Sequence, residues 1–515
     1  MRAKITAAAR DGVLAYFVLS GLLKLVFVVF PDLLPLDSDE AVLGLMVRHL
    51  RQGEFPLFSY GQTYGGGFEF LLAGALAWLV PSTLVALRLA AAALALATEY
   101  LFYRALAPAI PSRTIRLASS AMLAVGGMTY ARAMSHLYGV HLNNAFLFAS
   151  LLFWLSQARP HLRGRFLLGL WLGIGYWVSP VVWLLLACIG LAGLGWWREL
   201  ARPSLREVLA LAAGFAIGAL PRIIYNYGPD TWYAPYRAGG FALVRASAIA
   251  RRTSALAFHT LPDYFFGAIR AWGTPGALLA GLGSLFALLL LGWAAARVLR
   301  DWRRGLREAW APASVLLLAC AAAALVVLNR RVFDSGSRYL WPVEFAMASA
   351  WALAVEHSLG SRRSPPGDSS RSMWLRGLKV ALVSIPFVLG TVSLFLAERS
   401  DSRVPKSALK RAIAAQALAE GCRVGIADYW YAYSLSLLTE EKLRLAPVYT
   451  PRIPSYAAAA GSALGAGKRT CAVLDLSDRA QATEPNRSLY RRLQPRAIRT
   501  FPYPGEIALL VLGSE

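Results

Sequence analysis

Charged residues are scarce in this chain of 515 residues, where they make up only 16% of the sequence. Soluble domains carry about a quarter charged residues, and a soluble chain of this length would form roughly two to four domains. The long apolar runs, a hydrophobic content of 57% and a mean hydropathy of +0.48 exclude that organisation. An aromatic content of 12% also excludes a disordered chain. The composition therefore predicts a membrane protein that crosses the bilayer many times.

Cysteine is also rare, with four residues in the chain. Cys188 and Cys320 lie inside apolar runs and are typical of small core residues. Cys422 and Cys471 fall in a polar C-terminal region, and they could form a disulfide if that region is extracytoplasmic. No CxxC or Cys/His spacing of a metal site competes with that interpretation.

Acidic residues number 29 against 53 basic ones, so the formal net charge is +24. In a soluble protein such an excess would indicate nucleic-acid binding. Here most basic residues fall in short gaps between apolar runs, which is typical of charges that orient a membrane protein. We therefore expect no nucleic-acid partner.

About eleven apolar runs approach the roughly 20 residues that a membrane-spanning helix needs. Pro180 is expected to break the continuous stretch 166–197 into a short hairpin, because proline removes a helical hydrogen bond. The candidate spans lie near residues 12–30, 82–106, 114–131, 137–157, 166–180, 181–197, 208–225, 276–298, 311–328, 339–357 and 374–397.

Lys and Arg concentrate in every other gap, which places those gaps and the N-terminus on the cytoplasmic side of a plasma (bacterial inner) membrane. The loops at about 31–81 and 226–275 and the tail from 398 onward are then extracytoplasmic. The short external gap before the tenth span departs from this pattern, because it holds Arg330, Arg331 and Arg338. Either the predicted topology is wrong at this gap or these arginines have a function.

The tail, 398–515, forms a second predicted domain after the membrane domain, 1–397. It has short apolar runs separated by turn residues, preceded by a helical pattern around Lys406–Glu420. These features predict a small extracytoplasmic α/β domain with strands at 423–427, 443–448, 471–476 and 507–512.

Three carboxylates, those of Asp37, Asp39 and Glu40, follow the first span. Apolar residues at i, i+3, i+4 and i+7 then predict an amphipathic helix that Gly53 ends and that lies flat on the outer membrane interface. Capping accounts for Asp37 as N-cap and for Glu40 three residues later, without any function. It does not require Asp39. A carboxylate at this place could instead act as a general base on a substrate arriving from outside.

The segment Tyr60–Glu69 follows, with glycines that allow a close backbone approach. Its aromatic faces suit a sugar, so we take Tyr60, Gln62, Tyr64 and Glu69 as substrate-binding candidates, with Asp37. The alternative is a flexible loop with interfacial tyrosines before a short re-entrant helix. The segment lacks the pattern of a phosphate-binding loop.

Two external arginines are candidates for holding a lipid phosphate through bidentate hydrogen bonds. Arg270 lies in the aromatic-rich loop 226–275, and Arg338 lies at the mouth of the tenth span. Their alternative role is that of an interfacial anchor.

The Asp37–Ala41 motif, the Tyr60–Glu69 loop and the segment Arg338–Pro342 resemble the GT-C membrane glycosyltransferases. The resemblance covers about 12–357 and is closest to the branch that holds protein O-mannosyltransferases and the lipid A aminoarabinose transferase. It implies an all-α polytopic bundle that transfers a sugar, with inversion, from a polyprenyl-phosphate donor to a hydroxyl on a glycan, lipid or protein.

In that family pattern Asp39 would be the general base and Glu40 would orient it or bind the acceptor. Arg338 or Arg270 would stabilise the departing phosphate. No cofactor is implied, although the sequence leaves a divalent metal open. The segment Tyr429–Tyr433 lacks the aspartate of the oligosaccharyltransferase motif that it superficially resembles, and it receives no role.

Two other functions stay open. A transporter or flippase for a lipid-linked glycan would need polar residues facing inward at the middle of the membrane, where Glu99, Glu344 and Glu356 are the main acids. An inactive membrane scaffold would tolerate Asp39→Asn without loss of function.

Overall fold

The fold is that of a computed structural model. It describes residues 2–30, 36–62, 65–125, 141–156, 162–179, 181–194, 204–227, 246–261, 274–304, 306–328, 340–360, 407–449, 451–477, 483–504 and 506–513, with the single positions 137, 263 and 265.

The described helices between residues 2 and 360 form a bundle. Five of these described helices (α1, α4, α9, α11 and α12) are long and apolar enough to cross a membrane. The described helices are α1 Arg2–Val29, α2 Ser38–Arg51, α3 Phe68–Ala77, α4 Thr83–Ala105, α5 Arg113–Val125, α6 His141–Ser156, α7 Leu162–Val178, α8 Val182–Gly193, α9 Leu205–Tyr227, α10 Ala246–Ala255, α11 Thr274–Arg303, α12 Trp310–Leu328 and α13 Trp341–Gly360.

Each of the first ten predicted spans coincides with one of these helices. The predicted break at Pro180 is present, since α7 ends at Val178 and α8 begins at Val182. The eleventh span, 374–397, lies outside the described residues, and the total of eleven crossings stays a prediction.

Helices α7 and α9 pack backbone against backbone. A Cβ at Gly173 would lie 2.2 Å from the Phe215 carbonyl oxygen, and one at Gly218 would lie 2.2 Å from the Leu170 carbonyl oxygen. Small residues four apart on both helices allow this approach, which is a common way for helices to associate in membranes.

The C-terminal region forms an α/β domain on a five-stranded sheet of order β2-β1-β3-β5-β4. Strands β1 to β3 are parallel, and β5 runs antiparallel to both β3 and β4. The elements are α14 Ser407–Ala419, β1 Val424–Ala427, α15 Tyr429–Leu438, β2 Arg444–Pro447, α16 Pro454–Gly465, β3 Thr470–Asp475, α17 Thr483–Leu493, β4 Ala497–Tyr503 and β5 Ile507–Leu512.

Cys422 and Cys471 form a disulfide inside this domain, with a Cα–Cα distance of 6.0 Å. It ties the end of α14 to β3, beside the buried side chains of Ile413, Tyr431 and Leu509. The pairing that the sequence left conditional is therefore present in the structure.

Helix α2 is buried on its predicted apolar face and also at Glu40, Ala41 and Leu45. The expectation that it lies flat on the membrane interface stays a prediction. Helix α15 covers the side of α2 that the sequence left for solvent, and Gly44 of α2 faces Leu437 of α15. The acidic helix is thus enclosed between the bundle and the C-terminal domain.

Candidate functional site

The acidic motif lies at the N-terminus of α2. Asp37 is the N-cap, and its Oδ1 accepts a 2.7 Å hydrogen bond from the backbone N–H of Glu40. This is the cap that the spacing predicts. The Glu40 carboxylate points elsewhere, so its role goes beyond the capping pair.

Glu40 forms a buried ion pair with Arg88 of α4. Arg88 Nε lies 3.3 Å from Oε1 and Nη2 lies 3.3 Å from Oε2. The Glu40 side chain is 0% exposed and the Arg88 side chain is 1% exposed. Arg88 Nη1 also donates a 3.1 Å hydrogen bond to the carbonyl oxygen of Phe27 at the end of α1. Arg88 therefore fastens α2 to both α1 and α4.

Asp39 faces the C-terminal domain. Its Oδ1 lies 2.6 Å from Arg452 Nη2 and accepts a 2.6 Å hydrogen bond from the Tyr429 hydroxyl. Its side chain keeps 13% of its surface exposed, unlike that of Glu40. Asp39 is therefore the carboxylate of the motif that retains access to solvent.

The loop after α2 reaches the same point. The Gln62 amide oxygen accepts hydrogen bonds from Arg452 Nη1 at 3.0 Å and Nη2 at 3.2 Å. Gly61, at a φ of +68°, leaves no room for a side chain, because a Cβ there would lie 2.9 Å from the Arg452 Cα. The expected close approach of this loop is real, and it brings Gln62 and Asp39 to one guanidinium.

A buried lysine lies beneath the motif. Lys410 of α14 donates a 2.7 Å hydrogen bond to the carbonyl oxygen of Leu36. Burial lowers the pKa of the Lys410 ammonium to about 7, although the charges of Asp37, Asp428 and Glu40 oppose that change. Leu36, the residue before the N-cap Asp37, is thus hydrogen-bonded to the C-terminal domain.

Tyr60 lies at the other end of α2. Its hydroxyl lies 2.8 Å from His49 Nδ1 and donates to Glu54 at 3.1 Å. Tyr60 is 2% exposed, and its predicted contact with a sugar stays a prediction.

His49 connects Tyr60 to the C-terminal domain, because its Nε2 lies 3.1 Å from Glu441. Glu441 also accepts from Arg48 Nε at 2.9 Å and from the Tyr456 hydroxyl at 2.7 Å. Burial opposes ionisation of Glu441, but these hydrogen bonds and the charges of His49 and Arg48 outweigh it and lower the pKa of its carboxyl to about 2.

Glu69 is buried in the first turn of α3, and its Oε2 has no hydrogen-bond partner among the described residues. Burial raises the pKa of this carboxyl well above its ordinary value. The other predicted site residues, Tyr64, Arg270 and Arg338, lie outside the described residues. Their roles, and that of Glu69, stay predictions.

Among the residues that the structure describes, no group of three or more His, Cys, Asp and Glu side chains could hold a metal ion. The cofactor expectation stays a prediction.

Four residues around the motif were not predicted from the sequence, namely Arg88, Tyr429, Arg452 and Lys410. Arg88 did carry a signal, since it is a charge inside a predicted span and such charges are generally functional or paired. Arg452 and Tyr429 carried none, because they are separated from Asp39 by about 400 residues and meet it only through the docking of the domain.

No protein-family model and no curated protein sequence matches the chain. Crystal structures of ArnT from Cupriavidus metallidurans do match in fold. The form bound to undecaprenyl phosphate has a TM-score of 0.58 and 12% identity over 98% of this chain and 99% of ArnT. The apo form has a TM-score of 0.57 and 12% identity, over 98% of this chain and 100% of that one.

The Archaeoglobus fulgidus oligosaccharyltransferase, crystallised in complex with Zn and sulfate, matches at a TM-score of 0.53. It is 12% identical, over 96% of this chain and 73% of that one. At this level of identity the likeness shows the fold. The chain shares the fold of ArnT and of this oligosaccharyltransferase, in agreement with the fold that the resemblance implied.

Proposed function

We propose that the protein is an inverting glycosyltransferase that moves a sugar from a polyprenyl-phosphate donor to a hydroxyl acceptor. The observation that carries the proposal is the shared fold along almost the whole chain with ArnT, which has been crystallised with undecaprenyl phosphate. Asp39, a carboxylate with retained solvent access in the motif after the first helix, supports it.

Asp39 is the proposed general base. It takes the proton from the acceptor hydroxyl while the oxygen of that hydroxyl forms the new bond to the anomeric carbon. The bond between the anomeric carbon and the phosphate oxygen breaks, and polyprenyl phosphate leaves with the electron pair. A positioned base contributes about 10²–10⁴-fold to such a step.

Glu40 has a different task in this proposal. Because it is buried against Arg88, we assign it to fixing α2 in the bundle, which orients Asp39. Arg270 and Arg338 remain our candidates for holding the leaving phosphate, because preorganised positive charge stabilises such a group. The acceptor is a glycan, a lipid or a protein.

We place the chemistry on the outer face of the bacterial inner membrane, with the N-terminus inside and the C-terminal domain outside. The disulfide between Cys422 and Cys471 supports this orientation, because disulfides persist in oxidising compartments.

Sugar transfer by the purified protein in lipid nanodiscs tests the proposal. A panel of polyprenyl-phosphate sugars is offered with glycan, lipid and peptide acceptors to the wild type, to Asp39→Asn and to the control Asp301→Asn. Asp301 pairs with Arg297 on α11, away from the motif. We expect turnover by the wild type and the control and its collapse in Asp39→Asn. Equal turnover by all three proteins would refute Asp39 as the base.

One observation favours the transporter alternative. Lys24 forms an ion pair with Glu99 between α1 and α4, and Ser20 donates a 2.6 Å hydrogen bond to Glu99. Charges inside a membrane domain often mark a transport pathway. Movement of a lipid-linked sugar across a vesicle membrane without cleavage of its phosphate bond would favour this alternative.

A further inference from the structure

We propose that Tyr429 and Arg452 of the C-terminal domain are positioning residues for Asp39, so that the catalytic base is complete only when this domain is docked on α2. The inference rests on the proposed function and extends the active site beyond the membrane bundle.

Both residues act on the same oxygen of Asp39. The Tyr429 hydroxyl and Arg452 Nη2 each lie 2.6 Å from Oδ1. The shortest contacts of both donors therefore fall on Oδ1 and not on Oδ2. One oxygen of the carboxylate is therefore fixed, and the other remains able to accept a proton from a hydroxyl.

Tyr429 is held as a hydrogen-bond donor. Burial raises the pKa of its phenol well above the ordinary value, and the charge of Asp39 raises it further. The phenol therefore stays protonated over the working pH range and donates to an ionised Asp39. The Arg452 guanidinium lies 5.5 Å from the centre of the Tyr429 ring, so the two donors also support each other.

Arg452 is itself fixed from both domains. Its backbone N–H donates a 2.5 Å hydrogen bond to the Tyr433 hydroxyl, within the C-terminal domain. On the bundle side, the Gln62 amide oxygen accepts from both of its Nη atoms. A guanidinium fixed in this way can hold a carboxylate in one orientation with little loss of side-chain entropy.

The docking of the domain brings these groups together. Ser38, the neighbour of Asp39, donates its hydroxyl hydrogen to the Tyr429 carbonyl oxygen. Tyr429 begins α15, which packs on α2, and Asp428 caps α15 by accepting a 3.0 Å hydrogen bond from the backbone N–H of Trp430. Undocking would therefore remove both donors from Asp39 at once.

The experiment measures kcat and donor KM for Arg452→Met, Arg452→Lys and Tyr429→Phe in the full-length protein. The controls are Arg499→Met, which removes an exposed arginine–glutamate contact from the same domain, and Tyr431→Phe, which removes a hydroxyl that has no hydrogen-bond partner among the described residues. Thermal melting verifies that each variant is folded.

We expect kcat to fall by roughly 10–100-fold in Arg452→Met and Tyr429→Phe, because misplacing a catalytic group has an effect of this order, while donor KM changes little. Arg452→Lys should recover part of the loss in kcat, because it restores a cation beside Asp39, and the controls should behave as wild type.

Two results would overturn the inference while Asp39→Asn stays inactive. One is an unchanged kcat in Arg452→Met and Tyr429→Phe. The other is a large rise in donor KM with an unchanged kcat, which would make Arg452 a donor-binding residue. An active Asp39→Asn protein would instead show that the proposed function itself has failed.

Discussion

Arg88 and Glu40 form a two-pronged ion pair in the interior of the protein, with both contacts at 3.3 Å. Because Arg88 also binds the Phe27 carbonyl oxygen, this pair fixes the start of the acidic helix relative to the first and fourth helices. The position of Asp39 thus depends on an ion pair that involves its sequence neighbour.

Arg88→Met should destabilise the protein strongly. Removing one partner of a buried pair leaves the other charge without compensation, at a cost of about 3–5 kcal/mol. We expect a clear fall in melting temperature in lipid or detergent. The double variant Arg88→Met/Glu40→Leu should recover most of the loss. If Arg88→Met melts like the wild type, the pair does not anchor the helix.

Local pattern was enough to predict much of the fold. The apolar spacing with Gly53 predicted α2, Asp37 was correctly read as its cap, and the tail's apolar runs predicted β1, β2, β3 and β5 within a residue or two. Strand β4 was missed because Arg499, Thr500 and Pro502 interrupt its apolar pattern. A strand at the edge of a sheet tolerates such residues.

The site was less predictable, because it is made of contacts between distant parts of the chain. Nothing near Tyr429 or Arg452 in the sequence marks them as neighbours of Asp39. The packing of α15 on α2 likewise depends on docking of the C-terminal domain, which the hydrophobic periodicity of the sequence does not predict. Gln62 could be singled out only as part of a glycine-rich loop, and its partner Arg452 becomes visible only in the fold.

Glu441 should make docking of the domain sensitive to acid. The pKa of its carboxyl is lowered to about 2 from an ordinary 4.5, so its contribution to stability is present above about pH 4.5 and is lost as the pH falls toward 2. Glu441→Gln should therefore weaken the fall in melting temperature between pH 5 and pH 3. At pH 7 it should cost about 2 kcal/mol, as expected for hydrogen bonds to a charged group. If the melting temperature of Glu441→Gln falls between pH 5 and pH 3 as steeply as that of the wild type, the stabilising role of ionised Glu441 is contradicted.

Lys410 should make the stability of the protein depend on pH above neutrality. With the pKa of its ammonium lowered to about 7, the unfolded chain binds one more proton than the native chain between pH 7 and about 10.5. Stability should therefore rise with pH across this range, by at most about 1.4 kcal/mol per pH unit from this residue. Lys410→Met should flatten the rise in melting temperature between pH 7 and pH 9, whereas the exposed Lys442→Met should not.

The disulfide should stabilise the C-terminal domain. Cys422 and Cys471 are 49 residues apart, and closing a loop of that size contributes about 4 kcal/mol in the chain-entropy treatment. The double variant Cys422→Ala/Cys471→Ala should lower the melting temperature. The wild type should lose stability to a similar degree under strong reductant, and the double variant should not respond to it. A melting temperature of the wild type that does not change under strong reductant would contradict the stabilising role of the disulfide.

The central claim is that Asp39 is the base of an inverting sugar transfer from polyprenyl phosphate. Its most direct test is to record, by NMR, the anomeric configuration of the product and its rate of formation from an isotopically labelled donor, for the wild type and a folded Asp39→Asn. We expect inversion in the wild-type product and a rate at least about 10²-fold lower in the variant. Retention of configuration, or equal rates in both proteins, would contradict it.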